Sequence, residues 1–337
     1  MSGSLYVIHP VTRPKEGTAM RAVLLGLAAS GLFATTFVLN RTMHIAGGHW
    51  VWSGALRYLW MVPLLVLLVA GRGGLGPLWR DLTDRPMTWL VWGTVGFGFC
   101  YAPLCYAAAS GPGWLVAGTW QITIVAGMLI APWLRQPGEP RSPIPAAGLA
   151  WSGLILVGVA LMQWQAAEGF AMSQLWVGVA PVIVGAFAYP LGNRRMMQLC
   201  GDRLDAFQRT LGMTLGSLPF WLLLSVWPAA DGQWPSGGQL AQTVIVAVTS
   251  GVIATVLFFA ATDAVKHSPS KLAAVEATQA GEVVFAALGE SLLFARPWPA
   301  GWSLGGLGVI VLGMVMHARA AGHRPGREGQ EATTLTP

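Results

Sequence analysis

Charge is what this chain lacks. Of 337 residues only 10% are Asp, Glu, Lys or Arg, against 54% hydrophobic, a balance typical of polytopic membrane proteins and foreign to soluble domains. Cysteine is scarce as well: the 3 thiols, Cys100, Cys105 and Cys200, have spacings that fit neither a metal site nor a disulfide framework. No G-x-x-x-x-G-K-[ST] run occurs, so no nucleotide-binding loop is expected and uphill work must draw on an ion gradient. The 6 His (9, 44, 49, 267, 317 and 323) fall outside the centres of the apolar runs, leaving no imidazole relay. No polar stretch is long enough for a separate catalytic domain. The expectation is therefore a non-enzyme with no metal and no cofactor.

What is present is a succession of apolar runs, each about 20 residues long, the length a helix needs to cross hydrocarbon. They predict ten helices over 21–40, 51–70, 87–107, 114–133, 145–163, 174–192, 209–228, 240–262, 270–289 and 301–317. A transmembrane barrel is excluded because the runs are continuous, whereas spanning strands alternate. The first run is long for a signal-peptide core, so it is read as a retained helix. The tails 1–20 and 318–337 are expected to be disordered. Trp50, Trp52, Trp89, Trp133, Trp227 and Trp302 lie near span ends, where an amphipathic ring suits the membrane interface.

With the N-terminus inside, 16 of the 20 basic residues fall in tails and cytoplasmic loops, Arg194 and Arg195 among them. The outer loops keep Arg41 and Arg296. This bias places both termini in the cytoplasm. The +6 net charge then reflects topology, and nucleic acid is no partner.

The second half of the sequence echoes the first. "GLFATTFVLNRTM" at 31 resembles "GAFAYPLGNRRMM" at 185, "RYLWM" at 57 matches "RTLGM" at 209, and "CYAAAS" at 105 pairs with "FFAATD" at 258. "GTWQ" at 118 pairs with "EATQ" at 276, and "GLILVGVALM" at 153 with "GVIVLGMVM" at 308. The five matches keep one order, at offsets of 152 to 158. Each unit, 21–163 and 174–317, holds five helices, an odd number, so the second copy enters the membrane from the opposite side. Inverted repeats of this kind build secondary transporters with a substrate site near the midplane.

These residues resemble the drug/metabolite transporter superfamily: ten helices in two repeats, an Arg in the second helix of each, and "LGESLL" ahead of a Gly-spaced last helix. The "GTWQ" and "VEATQ" segments are most similar to its multidrug resistance efflux branch. The resemblance implies an efflux antiporter for small metabolites or drugs in a bacterial inner membrane, acting as a monomer or homodimer within the bilayer. The chain departs from the family pattern at Pro132, where the second repeat has Glu290, and in the fourth helix, where a usual proline is replaced near Gln121.

Glu276, Gln279 and Glu282 carry the strongest local signal. At 100° per residue they form one stripe on the ninth helix, and a carboxylate there must face the bundle interior or a water-filled cavity. Two roles stand open: a proton or cationic-substrate site, or an ion pair with Arg57 or Arg209. Those arginines are repeat mates, expected toward the outer and cytoplasmic sides respectively, either as gate latches or as anchors for a substrate carboxylate. Gln121 and Gln279 are likewise repeat mates. Trp120 with Tyr101, Tyr106 and Tyr189 could line an aromatic cavity, although helix packing explains any one of them. Glu290 is read as structural, meeting Arg296 or a helix end, and Asn40 and Asn193 as end caps.

The expected function is gradient-driven export of a drug or metabolite by alternating access, with a proton as coupling ion and cationic or aromatic molecules as candidates. An exporter of amino acids or other carboxylates is the alternative within transport. A membrane assembly factor or a membrane-embedded enzyme is the alternative from another class. An enzyme would need a cluster of catalytic residues in a sizeable loop, which the loops do not hold, and a purely structural role explains neither the repeats nor the buried stripe.

Overall fold

The structure, a computed structural model, describes residues 16–110, 113–134, 144–166, 171–293, 298 and 300–322. The tail ends, Arg296 and the side chain of Glu290 lie outside the described residues. Among the described residues ten helices are long and apolar enough to cross a membrane: α1 Gly17–Ile45, α2 Trp50–Gly71, α3 Pro86–Ser110, α4 Leu115–Trp133 and α5 Ala146–Trp164, then α6 Trp176–Cys200, α7 Ala206–Ala230, α8 Gly237–Val265, α9 Pro269–Gly289 and α10 Trp302–Ala321. All ten predicted spans are present, and most extend several residues further. A short helix, Leu75–Asp84, bridges α2 and α3.

Local chemistry explains where several helices start. Asp205 caps α7: its Oδ1 accepts from the Gln208 backbone N–H at 2.9 Å, while Gln208 Oε1 accepts from the Asp205 N–H at 2.8 Å, a reciprocal capping box. Ser236 caps α8 through Gln239 N–H, and Pro269 occupies the first turn of α9, where its missing N–H costs nothing.

Burial separates centre from rim. α9 is 72% buried and α4 67%, whereas α5 and α10 are each 28% buried. α5 and α10 pack against each other at the periphery, where a Cβ added to Gly158 would stand 2.8 Å from the Gly306 carbonyl oxygen. Small residues at such crossings let backbones touch where lipid offers no hydrophobic drive.

Four of the central helices are irregular. α3 carries a π-helical turn over Thr94–Gly98 and α8 one over Ala247–Ala254. α4 breaks between Trp120 and Thr123, where Gln121, Ile122, Ile124 and Val125 donate to carbonyls three residues back. α9 tightens into a 3₁₀ turn at Thr278–Ala280. Gln121 and Gln279 thus sit inside the two tightened turns.

Several expectations are corrected here. The sixth helix runs on past residue 192 to Cys200, so Arg194 and Asn193 lie within it and are buried; Arg194 is no loop residue, because it finds a carboxylate inside the bundle. Asn40 lies inside α1 and donates from Nδ2 to the Tyr101 hydroxyl at 3.0 Å, so neither Asn is an end cap. Trp133, Trp227 and Trp302 are exposed, but Trp52 and Trp89 are buried, their indole N–H groups donating to Gln233 O at 2.6 Å and Asp81 Oδ2 at 3.0 Å.

The two ends of the bundle are closed differently. The ion pairs Arg72–Asp205 at 3.2 Å, Lys266–Asp202 at 2.5 Å, Arg85–Asp81, Arg203–Asp81, Arg209–Asp263 and Arg194–Glu276 lie toward the end where α2, α6 and α8 finish and α3, α7 and α9 begin. Lys266 holds the exposed Asp202 carboxyl below its ordinary value. At the opposite end rings meet instead: Trp50 and His49 pack on Trp227, and Trp52 stacks on Trp234 with centroids 5.8 Å apart.

Candidate functional site

A cavity of about 40 Å³ lies in the middle of the helices. Its wall is aromatic, with Tyr58, Phe97, Tyr101, Trp120 and Tyr189, and it carries two ionisable side chains, Arg57 and Glu282, beside Gln279 and Ser250. Residues from both halves of the sequence contribute.

The irregular turns place these groups. In α8 the π turn leaves the Ser250 carbonyl to accept from Thr255 Oγ1 at 2.9 Å. Its widened turn lets α2 come close, so a Cβ on Gly251 would lie 3.5 Å from Arg57 Nε. Ser250 Oγ then accepts from Arg57 Nη2 at 3.0 Å and from Thr36 Oγ1 at 2.7 Å. The guanidinium lies over the Tyr101 ring at 4.1 Å and nearer the edge of reach for Tyr58 at 5.4 Å, contacts that stabilise a desolvated cation. Tyr101 is itself fixed by Asn40. Across the wall, Trp120 packs on Tyr189 with centroids 5.8 Å apart, and Tyr189 on Phe258 at 5.9 Å. Trp120 is the side chain within hydrogen-bonding reach of the Glu282 carboxyl, which is only 2% exposed.

Below the cavity sits a second polar layer. Arg194 of α6 grips Glu276 of α9 in a fork, Nε to Oε1 at 2.8 Å and Nη2 to Oε2 at 2.7 Å. Gly127 of α4 makes room: a Cβ there would stand 2.5 Å from Glu276 Oε2. Arg209 pairs with Asp263 at 2.6 Å, donates to the Phe259 carbonyl at 3.3 Å and lies over the Phe259 ring.

Of the residues singled out from sequence, Arg57, Tyr101, Trp120, Tyr189, Gln279 and Glu282 line the cavity, whereas Glu276, Gln121 and Arg209 do not. Glu276 is paired, with Arg194 rather than with Arg57 or Arg209. Arg209 meets a carboxylate as a latch would, but Arg57 meets none among the described residues. Gln121 is fully buried at the break in α4, donating from Nε2 to Ala117 O at 3.1 Å. Tyr106 is exposed and packs on Trp50. Sequence reasoning missed Arg194, Asp263 and Ser250. The signal for the first two was available: both lie within one turn of a predicted span end, where a few more helical residues bury Arg194 and bring Asp263, one quarter exposed, to Arg209.

Residues 20–323 match the model of the EmrE family, described as "Putative multidrug resistance efflux transporter". The chain belongs to that family. It is also 51% identical over 327 residues to the uncharacterized protein YjlA of Bacillus subtilis (strain 168), covering 94% of this chain and 100% of that one. An uncharacterized 42.1 kDa protein of Shouchella clausii, encoded in the intracellular alkaline protease 3' region, is 44% identical over 271 residues, covering 79% of this chain and 71% of that one. A solved crystal structure superposes with a TM-score of 0.65 over 89% of this chain and 97% of its own, at 17% identity, a likeness of fold. The chain is a multi-pass membrane protein of a small-molecule transporter family.

Proposed function

We propose that this protein is a secondary active exporter of small molecules in the cell's inner membrane, coupled to protons and working by alternating access between two inverted five-helix halves. The observation that carries the reading is a buried carboxyl, Glu282, on the wall of the central cavity. Glu276 spends its charge on Arg194, so Glu282 is the acid free to take and release a proton in exchange for substrate. A carboxyl can do this because it takes or loses a proton without a change of shape, and the Trp120 side chain gives its ionised form a partner in an otherwise aromatic wall.

The matched irregularities support the repeat reading: a π turn in the third helix of each half, and a tightened turn holding a Gln in the fourth. Interrupted helices in corresponding positions are the usual mark of a transporter's midplane site. At about 40 Å³ the cavity holds a few waters, far below the roughly 300–1,000 Å³ of a drug-sized site, so it must widen to take a substrate. The ion-paired end is the cytoplasmic gate, in keeping with the excess of basic residues there, and the ring-packed end the outer one.

The test is flux in proteoliposomes under an imposed pH gradient. Glu282→Gln should abolish gradient-driven flux while sparing substrate exchange at equal pH. Flux indifferent to the gradient, or a Glu282→Gln variant with the parent pH dependence, would remove Glu282 from the mechanism.

A further inference from the structure

Three arginines are buried among the described residues: Arg57, Arg194 and Arg209. Two of them have a carboxylate of their own, Arg194 in Glu276 and Arg209 in Asp263. Arg57 has none within 4.0 Å among the described residues. It is also the one of the three that lines the cavity. Its Nη2 donates to Ser250, a neutral hydroxyl, and its Nε is buried with no acceptor at all. A guanidinium cannot shed its proton to escape this situation, and it presents a planar fork matched to a carboxylate. Burying such a group unpaired is unfavourable unless a counter-ion arrives from outside the chain.

We propose that Arg57 is the anchor for a substrate carboxylate, and that the substrate class is small amino-acid-like zwitterions with an apolar or aromatic body. The statement rests on the transporter reading and narrows it. Glu282 lies on the same cavity wall, so the site offers one positive and one negative group, the complement of a carboxylate and an ammonium on one molecule. The rings of Tyr58, Tyr101, Trp120 and Tyr189 supply the surface for the apolar body. Phosphates and dicarboxylates fit poorly, because one arginine faces them and Glu282 repels the second negative charge. A lipophilic cation without a carboxylate satisfies Glu282 and leaves Arg57 without a counter-ion in the same cavity, so the cavity selects against lipophilic cations.

Four probes read this directly by calorimetry on purified full-length protein in detergent: phenylalanine, 3-phenylpropionate, phenethylamine and tetraphenylphosphonium. The first three share one body and differ only in which charges they carry. Phenylalanine should bind tightest, 3-phenylpropionate next, and the two cations at least tenfold more weakly than phenylalanine. Arg57→Gln should weaken both carboxylate probes at least tenfold and spare phenethylamine, with Arg57→Lys falling between. Glu282→Gln should erase the advantage of phenylalanine over 3-phenylpropionate. Cations that bind the parent protein as tightly as the carboxylates, or no binding of any carboxylate probe, overturn the proposal even if the Arg57 variants fail to fold. The same probes in proteoliposomes separate the two claims. Proton-driven flux of tetraphenylphosphonium without the carboxylates keeps the transporter and discards the zwitterion; Arg57-dependent binding with no flux of any probe does the reverse.

Discussion

Arg194 and Glu276 join α6 to α9 through two hydrogen bonds of 2.8 and 2.7 Å, both side chains buried. Bidentate pairs of this kind fix geometry more than they add net stability, and breaking one side is far costlier than removing both. Glu276→Gln should therefore lower stability by about 3–5 kcal/mol, read as a drop in melting temperature and expression. The double change Arg194→Met with Glu276→Met should recover most of it. An unchanged melting temperature in Glu276→Gln, joined to a lost pH dependence of flux, would make Glu276 the proton site and the pair incidental.

The pair leans on Gly127, whose missing side chain leaves space for the Glu276 carboxylate. Gly127→Ala puts a methyl 2.5 Å from Oε2 and 2.9 Å from Cδ, well inside contact distance. The variant should melt lower than the parent by an amount comparable to breaking the pair. In a Glu276→Ala background the same change should be nearly neutral, since neighbouring sites that share one contact are not additive. Equal effects in both backgrounds would place the role of Gly127 elsewhere.

Orientation is open to a simple readout. A C-terminal reporter active only in the cytoplasm should give full signal, and one active only outside should give none. The opposite result would invert the assignment of the two gates.

His49 makes the ring-packed end sensitive to acid. Its Nδ1 accepts from the Val51 N–H at 3.3 Å and caps α2, a bond open only to the unprotonated ring. Burial pushes its pKa below the ordinary value, against the pull of Asp231 and with a contribution from His44. The folded state thus binds fewer protons than the unfolded one near pH 6. The cap's contribution is present above the ordinary His value of about 6.5 and is lost as pH falls through the lower folded value. Hydrogen exchange at the start of α2, corrected for its intrinsic rate, should rise between pH 7 and 5. His49→Asn keeps a good cap and should remove the rise; an identical pH response in that variant would acquit His49.

Much of this was legible in the sequence. Run length alone marked all ten helices, and the period of α9 put Gln279 and Glu282 on one interior face. Glu276 could not be assigned so easily. Its partner, Arg194, lies just past the point where hydropathy ends, and positive-inside counting assigned it to a loop. A helix continues beyond its apolar run when its polar residues are satisfied by tertiary contacts, which no window average sees. Arg57 was visible as the repeat mate of Arg209, but the equivalence misled: one pairs with Asp263 and the other faces a cavity. The π turns were invisible because an inserted residue leaves hydropathy unchanged.

That inserted residue has a consequence for the chain's tolerance of length changes. A π turn is an α turn with one residue too many, so deleting a single residue from 247–254 restores regular i→i−4 bonding instead of breaking it. The helix would survive the loss with its hydrogen bonds in order. What it would lose is phase: every side chain on one side of the deletion swings by about 100° relative to the other, turning either Ser250 away from Arg57 or Phe258 and Phe259 away from Tyr189 and Phe97. Single-codon deletions, which ordinarily damage a helix by damaging its fold, would here produce an intact bundle with a rotated cavity lining.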